Sequence, residues 1–253
     1  MNPVLFKELR SMLRERRGFL VPMIYAAVLS ATVYLFFVSF GERESDALGS
    51  TIAGEVAILQ LIAIAIFSPL VGAGAIAGER ERGTWLPLLS SPVARWRIAA
   101  GKATASALYV LLLLSVSVPI AALSLLFGGA DLAVLGGLYL THAILGVTLA
   151  LFGLAVSTIF HRTWTAALVS VGGALGLVVF TAAIYAALGG FHSEGGHPTW
   201  PMYFNICYSW MLFFGGDHDA GSRIGWLWHF LALGSIGVGS FAFVLRRLRR
   251  TCD

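Results

Sequence analysis

The side chains able to do chemistry in this sequence are few, and they gather at the edges of long apolar runs. The densest group is Glu79-Arg80-Glu81-Arg82-Gly83-Thr84, alternating charges followed by a glycine and a hydroxyl. Such a group suits ion pairing, but it does not make a nucleophile with its base. A nucleotide site needs a Gly-rich turn leading into Lys and Ser or Thr at a helix start. The nearest fragment, Gly101-Lys102-Ala103, has Trp96 where the first glycine belongs and Ala103 where a hydroxyl should bind magnesium. Gly237-Val238-Gly239-Ser240 does not supply the Gly-x-Ser-Gly turn of an intramembrane serine protease. His142 and His229 fall within or beside apolar runs. Haem ligation needs both ligands facing one cofactor, so each reads as a buried histidine bonded to a neighbouring helix. His192, His197, Asp217, His218 and Asp219 match no metal-site spacing and read as solvated loop residues. Two cysteines, Cys207 and Cys252, cannot build a disulfide framework. No catalytic residue, metal or cofactor is expected on this chain.

The elements that must carry these residues are membrane spans. Hydrophobic residues make up 58% of the 253 positions and charged residues 12%, against about 25% charged in soluble domains. The mean hydropathy is +0.83. Six runs reach the roughly 20 apolar residues a crossing helix needs: Gly18 to Phe40, Glu55 to Gly78, Ala103 to Phe127, Leu132 to Phe160, Trp164 to Leu188, and Ile224 to Leu245. Apart from Glu55 at a margin, none holds Asp, Glu, Lys or Arg. A central charge costs about 2.5 to 3.5 kcal/mol on the insertion scale.

Orientation follows from the loops. With the amino terminus inside, all of the 17 basic residues except Arg43 and Arg223 fall on the cytoplasmic side, as the positive-inside rule requires. Both termini are then cytoplasmic, in an inner-membrane multi-pass protein. The net charge of +4 marks this topology and not a nucleic-acid surface. The tryptophans, Trp85 included, lie in loops or near span ends and read as an aromatic belt. Gly74 with Gly78 and Gly172 with Gly176 offer small-residue packing, within the chain or at a dimer seam. Pro22, Pro69 and Pro119 are positioned to kink the first three spans.

Three segments are not spans, and the whole of residues 1–253 reads as one transmembrane domain. Within residues 1–17, Pro3 to Arg17 is amphipathic: Leu5, Phe6, Leu9, Met12 and Leu13 share one face, with Lys7, Glu8, Arg10 and Arg14 opposite. That is the pattern of an interfacial helix. The loop 79–102 is longer than the 2 to 8 residues a simple helix connection takes. Its charges, its apolar tip Trp85-Leu86-Pro87-Leu88-Leu89 and its prolines suggest docking on another protein. In the external loop 189–223, glycine pairs bracket an aromatic stretch from Thr199 to Phe214. It is too short to cross and should dip into the outer leaflet or lie upon it.

Asn2-Pro3-Val4-Leu5-Phe6-Lys7-Glu8-Leu9-Arg10, then Gly78-Glu79-Arg80-Glu81-Arg82-Gly83-Thr84, Leu88-Leu89-Ser90-Ser91-Pro92-Val93 and Gly101-Lys102, resemble the permease subunits of type 2 ATP-binding-cassette transporters. The likeness is greatest to the bacterial branch that includes copper-enzyme-maturation and gliding-motility permeases. The resemblance implies an all-α membrane fold with six transmembrane helices. It implies a connecting helix at Pro3 to Arg17, a cytoplasmic coupling helix at Gly83 to Leu89, and an external re-entrant segment at Thr199 to Phe214. It further implies an exporter in which two permeases pair and each sits on a separate ATPase that binds ATP and magnesium. The residues expected to couple to that ATPase are Glu79, Arg80, Glu81, Arg82, Gly83, Thr84, Leu86, Leu88 and Leu89, with Glu79 and Glu81 facing basic residues there. The alternative is a secondary transporter or channel-like protein not powered by ATP. Ion-coupled carriers usually need an intramembrane carboxylate, which these spans lack.

Overall fold

The computed structural model describes residues 3–14, 16–40, 48–128, 131–187, 200–208, 213 and 221–250. Every regular element among them is helical: α1 (Pro3–Arg14), α2 (Arg16–Phe40), α3 (Leu48–Glu81), α4 (Trp85–Leu89), α5 (Arg95–Leu126), α6 (Leu132–Ser157), α7 (Thr163–Ala187), a short 3-10 helix (Trp200–Phe204) and α8 (Gly221–Arg250). Six of them, α2, α3, α5, α6, α7 and α8, are long and apolar enough to cross a membrane. His192, His197, Asp217, His218, Asp219, Cys252 and most of the 189–223 loop lie outside the described residues.

Two spans are longer than hydropathy suggests. At 34 residues α3 is about 51 Å long, more than the roughly 40 to 45 Å of a bilayer with its headgroups. It begins at Leu48, so Glu55 lies two turns inside it. The next span starts at Arg95 and not at Ala103, which places Lys102 inside α5. Apolarity marks where lipid lies, and a helix can continue past it wherever its polar turns find partners.

The core is a crossing of α3 with α6, around which the other spans are laid. The contact depends on glycine. A Cβ on Gly72 would stand 2.0 Å from the Ala150 carbonyl oxygen, and one on Gly153 would stand 2.1 Å from that of Pro69. These backbones meet closely because nothing projects between them. Gly74, Gly172 and Gly176 have no atom within 4 Å of such a Cβ, and Gly78 meets only the Thr163 hydroxyl at 3.7 Å. The expected Gly74–Gly78 and Gly172–Gly176 pairs therefore do not form the seam within this chain. Spacing along one helix cannot tell which of its faces a second helix will occupy.

In the peripheral α2, Tyr25, Leu29 and Val33 turn inward onto Ile52 and Val56 of α3 and Ala121 of α5. Phe19, Met23, Ile24, Val28, Tyr34 and Leu35 face away from the bundle. The exposed side is as apolar as the buried one, which is how a helix in lipid differs from one in water.

Candidate functional site

The site lies at the end of the bundle where the arginines collect, and it is organised by the last turn of α3. Gly83 follows this helix with φ of +71°. The Thr84 N–H donates to the Glu79 carbonyl at 2.9 Å and the Gly83 N–H to the Arg80 carbonyl at 3.1 Å. These paired bonds close the helix through a left-handed residue, a conformation in which a Cβ crowds the following carbonyl. The chain then swings directly into α4. That helix ends where the Ser90 and Ser91 hydroxyls donate back to the Pro87 and Leu88 carbonyls.

The three residues before the cap each fasten a different part of the bundle. Glu79 accepts from Lys7 of α1 at 3.0 Å, lies 3.5 Å from Lys102 of α5, and is bonded by the Thr84 hydroxyl. Arg80 donates to the carbonyls of Thr158 at 2.9 Å and Phe160 at 3.3 Å, just past the end of α6, and its guanidinium stands 5.6 Å from the Trp85 ring centroid. Glu81 accepts from the Thr163 N–H at 3.1 Å, at the start of α7. A cation thus meets the carbonyl end of α6 and an anion the amide end of α7, each complementing the orphan groups and the dipole there. The tight α6–α7 connection is held between neighbouring side chains.

Behind Glu79 lies the ammonium group of Lys102, which the sequence placed in the cytoplasmic loop and the fold places inside α5. Lys102 is 1% exposed. It donates to Glu8 of α1 at 2.7 Å and to the Ala75 carbonyl of α3 at 2.7 Å. Removing such a charge from water costs several kcal/mol and is tolerated only with good partners. Glu8 therefore turns inward, against the expectation that it joins the outer polar face of α1. Val4 is buried beside it, Leu5, Leu9 and Met12 are half-buried, and Phe6 projects outward; the side chain of Leu13 is outside the described set. The docking face of α1 runs through Val4 and Glu8, one helical turn apart, and is set by the ion pair as much as by the apolar stripe.

α4 presents its two sides unequally. Trp85 is 7% exposed and packs with Ile76, Ala99, Ala103, Leu154 and Val244; it is an anchor and not part of an aromatic belt. Leu88 and Leu89 pack against the same cluster, so they face the bundle and not outward as expected. Leu86 is 75% exposed, and Arg82, Gly83, Thr84 and Pro87 are exposed around it. Glu79 is committed to Lys7 and Lys102, and the exposed Glu81 is committed to α7. Among the expected coupling residues, Leu86 with Arg82, Gly83 and Thr84 forms the outward surface, and Glu81 is exposed beside them while bonded to α7.

The histidines behave as buried polar groups. His142 of α6 donates through Nδ1 to Gln60 of α3 at 3.0 Å, and Gln60 donates to Ser117 of α5 at 3.1 Å. His229 donates through Nδ1 to the Tyr203 carbonyl at 2.7 Å. At this far end Met202, Asn205, Ile206 and Tyr208 are buried and plug the bundle. Ile206 joins Leu61, Leu145 and Leu233 in the core, and Asn205 donates to the Val178 carbonyl at 3.1 Å and the Thr181 hydroxyl at 2.9 Å. Among the described residues, no group of three or more His, Cys, Asp or Glu could hold a metal ion.

Six helices long and apolar enough to cross a membrane, an amphipathic helix ahead of the first and a short helix hung between the second and third define a multi-pass membrane protein. The sequence profile of the ABC-2 family transporter proteins matches residues 3–200, and the chain belongs to that family. It is a membrane subunit of an ATP-binding-cassette transporter, a transport component that is not itself catalytic, in a family that implies an ATPase partner. Comparison with curated protein sequences finds no match.

Proposed function

We propose that this chain is the permease half of an ATP-driven exporter, lying in the inner membrane with both termini and the arginine-rich end in the cytoplasm. A separate cassette ATPase, carrying ATP and magnesium, seats on the outward side of α4. A second permease, identical or paralogous, completes the translocation path, as the family resemblance implies. The observation that carries this reading is the mounting of α4. Its exposed side is Leu86 with Pro87, while its root at Glu79, Arg80, Glu81 and Trp85 is bonded to α1, α5, α6 and α7. A push on this short helix reaches several helices at once.

Leu86→Asp tests the seat without touching the root. An exposed substitution of this kind changes stability by no more than about 0.5 kcal/mol. The variant should insert and melt like the wild type yet lose ATPase co-purification and transport. Wild-type co-purification and transport in this variant would refute the seat. Orientation is tested separately with a membrane-impermeant thiol reagent on intact cells. It should react with Cys207, which is exposed, and leave Cys252 unlabelled; labelling of Cys252 would reverse the topology.

A further inference from the structure

An open cleft of about 520 Å³ lies between α1, the first turns of α2, and α3. That volume is within the roughly 300 to 1,000 Å³ of small-molecule sites. Its walls are graded. Leu70, Val71, Gly74 and Val21 line the deep part, and Lys7 and Arg82 stand at the mouth with Glu8 and Glu79. From Arg82 to Leu70 the cleft follows α3 for about 18 Å at 1.5 Å per residue, close to the roughly 15 Å of one leaflet's hydrocarbon. At Gly74 the wall is bare, with nothing within 4 Å of where a Cβ would be.

The charge at the mouth has a sign. Glu8 is taken up by Lys102 at 2.7 Å, and Glu79 by Lys102, Lys7 and Thr84. Lys7 keeps a half-exposed ammonium, its side chain 58% exposed, with donors beyond the one Glu79 uses. With both carboxylates of the mouth paired, Glu8 to the buried Lys102 and Glu79 to Lys102 and Lys7, what the mouth offers above the apolar slot is the half-exposed Lys7 ammonium beside the Arg82 guanidinium, an arrangement suited to an anion.

We propose that this cleft binds one anionic phospholipid of the surrounding leaflet, its phosphate at Lys7 and Arg82 and an acyl chain along Leu70, Val71 and Gly74. The bound lipid would wedge α1 against α3, beside the ion pairs that fasten α1 to the bundle. The inference concerns a lipid site on this chain and does not depend on the seat proposed for the ATPase.

The test is native mass spectrometry and thermal melting of the full chain, purified in detergent and given phosphatidylglycerol or phosphatidylcholine. Phosphatidylglycerol should be retained at one molecule per chain, at least fivefold over phosphatidylcholine, and should raise the melting midpoint. Gly74→Trp should fill the slot and abolish retention of either lipid. Gly176→Trp, at an equally open position on α7, should retain lipid as the wild type does. Lys7→Gln with Arg82→Gln should remove the preference for phosphatidylglycerol while the fold persists. Equal retention of the two lipids by the wild type, or undiminished retention by Gly74→Trp, would overturn the proposal. Should Gly74→Trp not fold, a Lys7→Gln, Arg82→Gln chain that still prefers phosphatidylglycerol overturns it equally.

Discussion

At the arginine-rich end the helices are tied by charge: Lys102 between Glu8 and Glu79, Arg80 on the carbonyls beyond α6, and Glu81 on the first amide of α7. At the opposite end they are tied by rings and neutral bonds. Phe213 packs edge-on to Trp226 at 4.7 Å, Tyr208 to His229 at 5.3 Å, and Asn205 holds α7. The contrast separates two mechanical roles. Neutral contacts close the far end with little dependence on ions or on a partner. Charge-assisted bonds are stronger individually and directional, and they concentrate where a short exposed helix is rooted. One end is a plug and the other is a joint.

The largest effect should come from Lys102→Met. It strips Glu8 and Glu79 of their shared cation, and breaking a buried pair costs about 3 to 5 kcal/mol. For a chain of this size that corresponds to a melting midpoint lower by about 10 °C, measurable by fluorescence-detected chromatography after heating. A loss no greater than that of an exposed lysine would remove the joint from the comparison.

Gly153→Val should follow, since its side chain would drive into the Pro69 carbonyl at the α3–α6 crossing. Overpacking of this kind costs about 1 to 3 kcal/mol. Gly172→Ala, on an open face of α7, should change stability by less than about 1 kcal/mol. Equal losses in the two variants would mean that the crossing does not organise the bundle.

At the plug, Asn205→Leu should cost about 1 to 2 kcal/mol by removing its bonds to α7. This loss should be insensitive to salt. The smallest effect belongs to Lys7→Ala, whose ion pair with Glu79 is exposed on the lysine side and worth about 0 to 1 kcal/mol. Its contribution should fade between low and high ionic strength. A salt-sensitive Asn205 variant beside a salt-insensitive Lys7 variant would invert the contrast between the ends.

The sequence by itself determined the six spans, the end at which positive charge collects, and the amphipathic first helix. These rest on local quantities: twenty apolar residues in a row, arginine beside them, and a helical stripe. Gly83 stood in the sequence as the first residue of an expected coupling helix, and the fold makes it the left-handed cap of α3, with α4 starting two residues later. What only the tertiary structure decided is who meets whom. The sequence shows Glu79 and Glu81 only as two carboxylates at a helix end; the fold adds that Glu79 meets Lys7 and Lys102 and that Glu81 meets the Thr163 amide. Lys102 looks like a loop cation until α5 is seen to start at Arg95, and Gly72 and Gly153 look no different from Gly74 and Gly172. In lipid both faces of a helix are apolar, so hydropathy carries almost no record of which face is buried against protein. That choice depends on the shape and partners of residues far away in the chain.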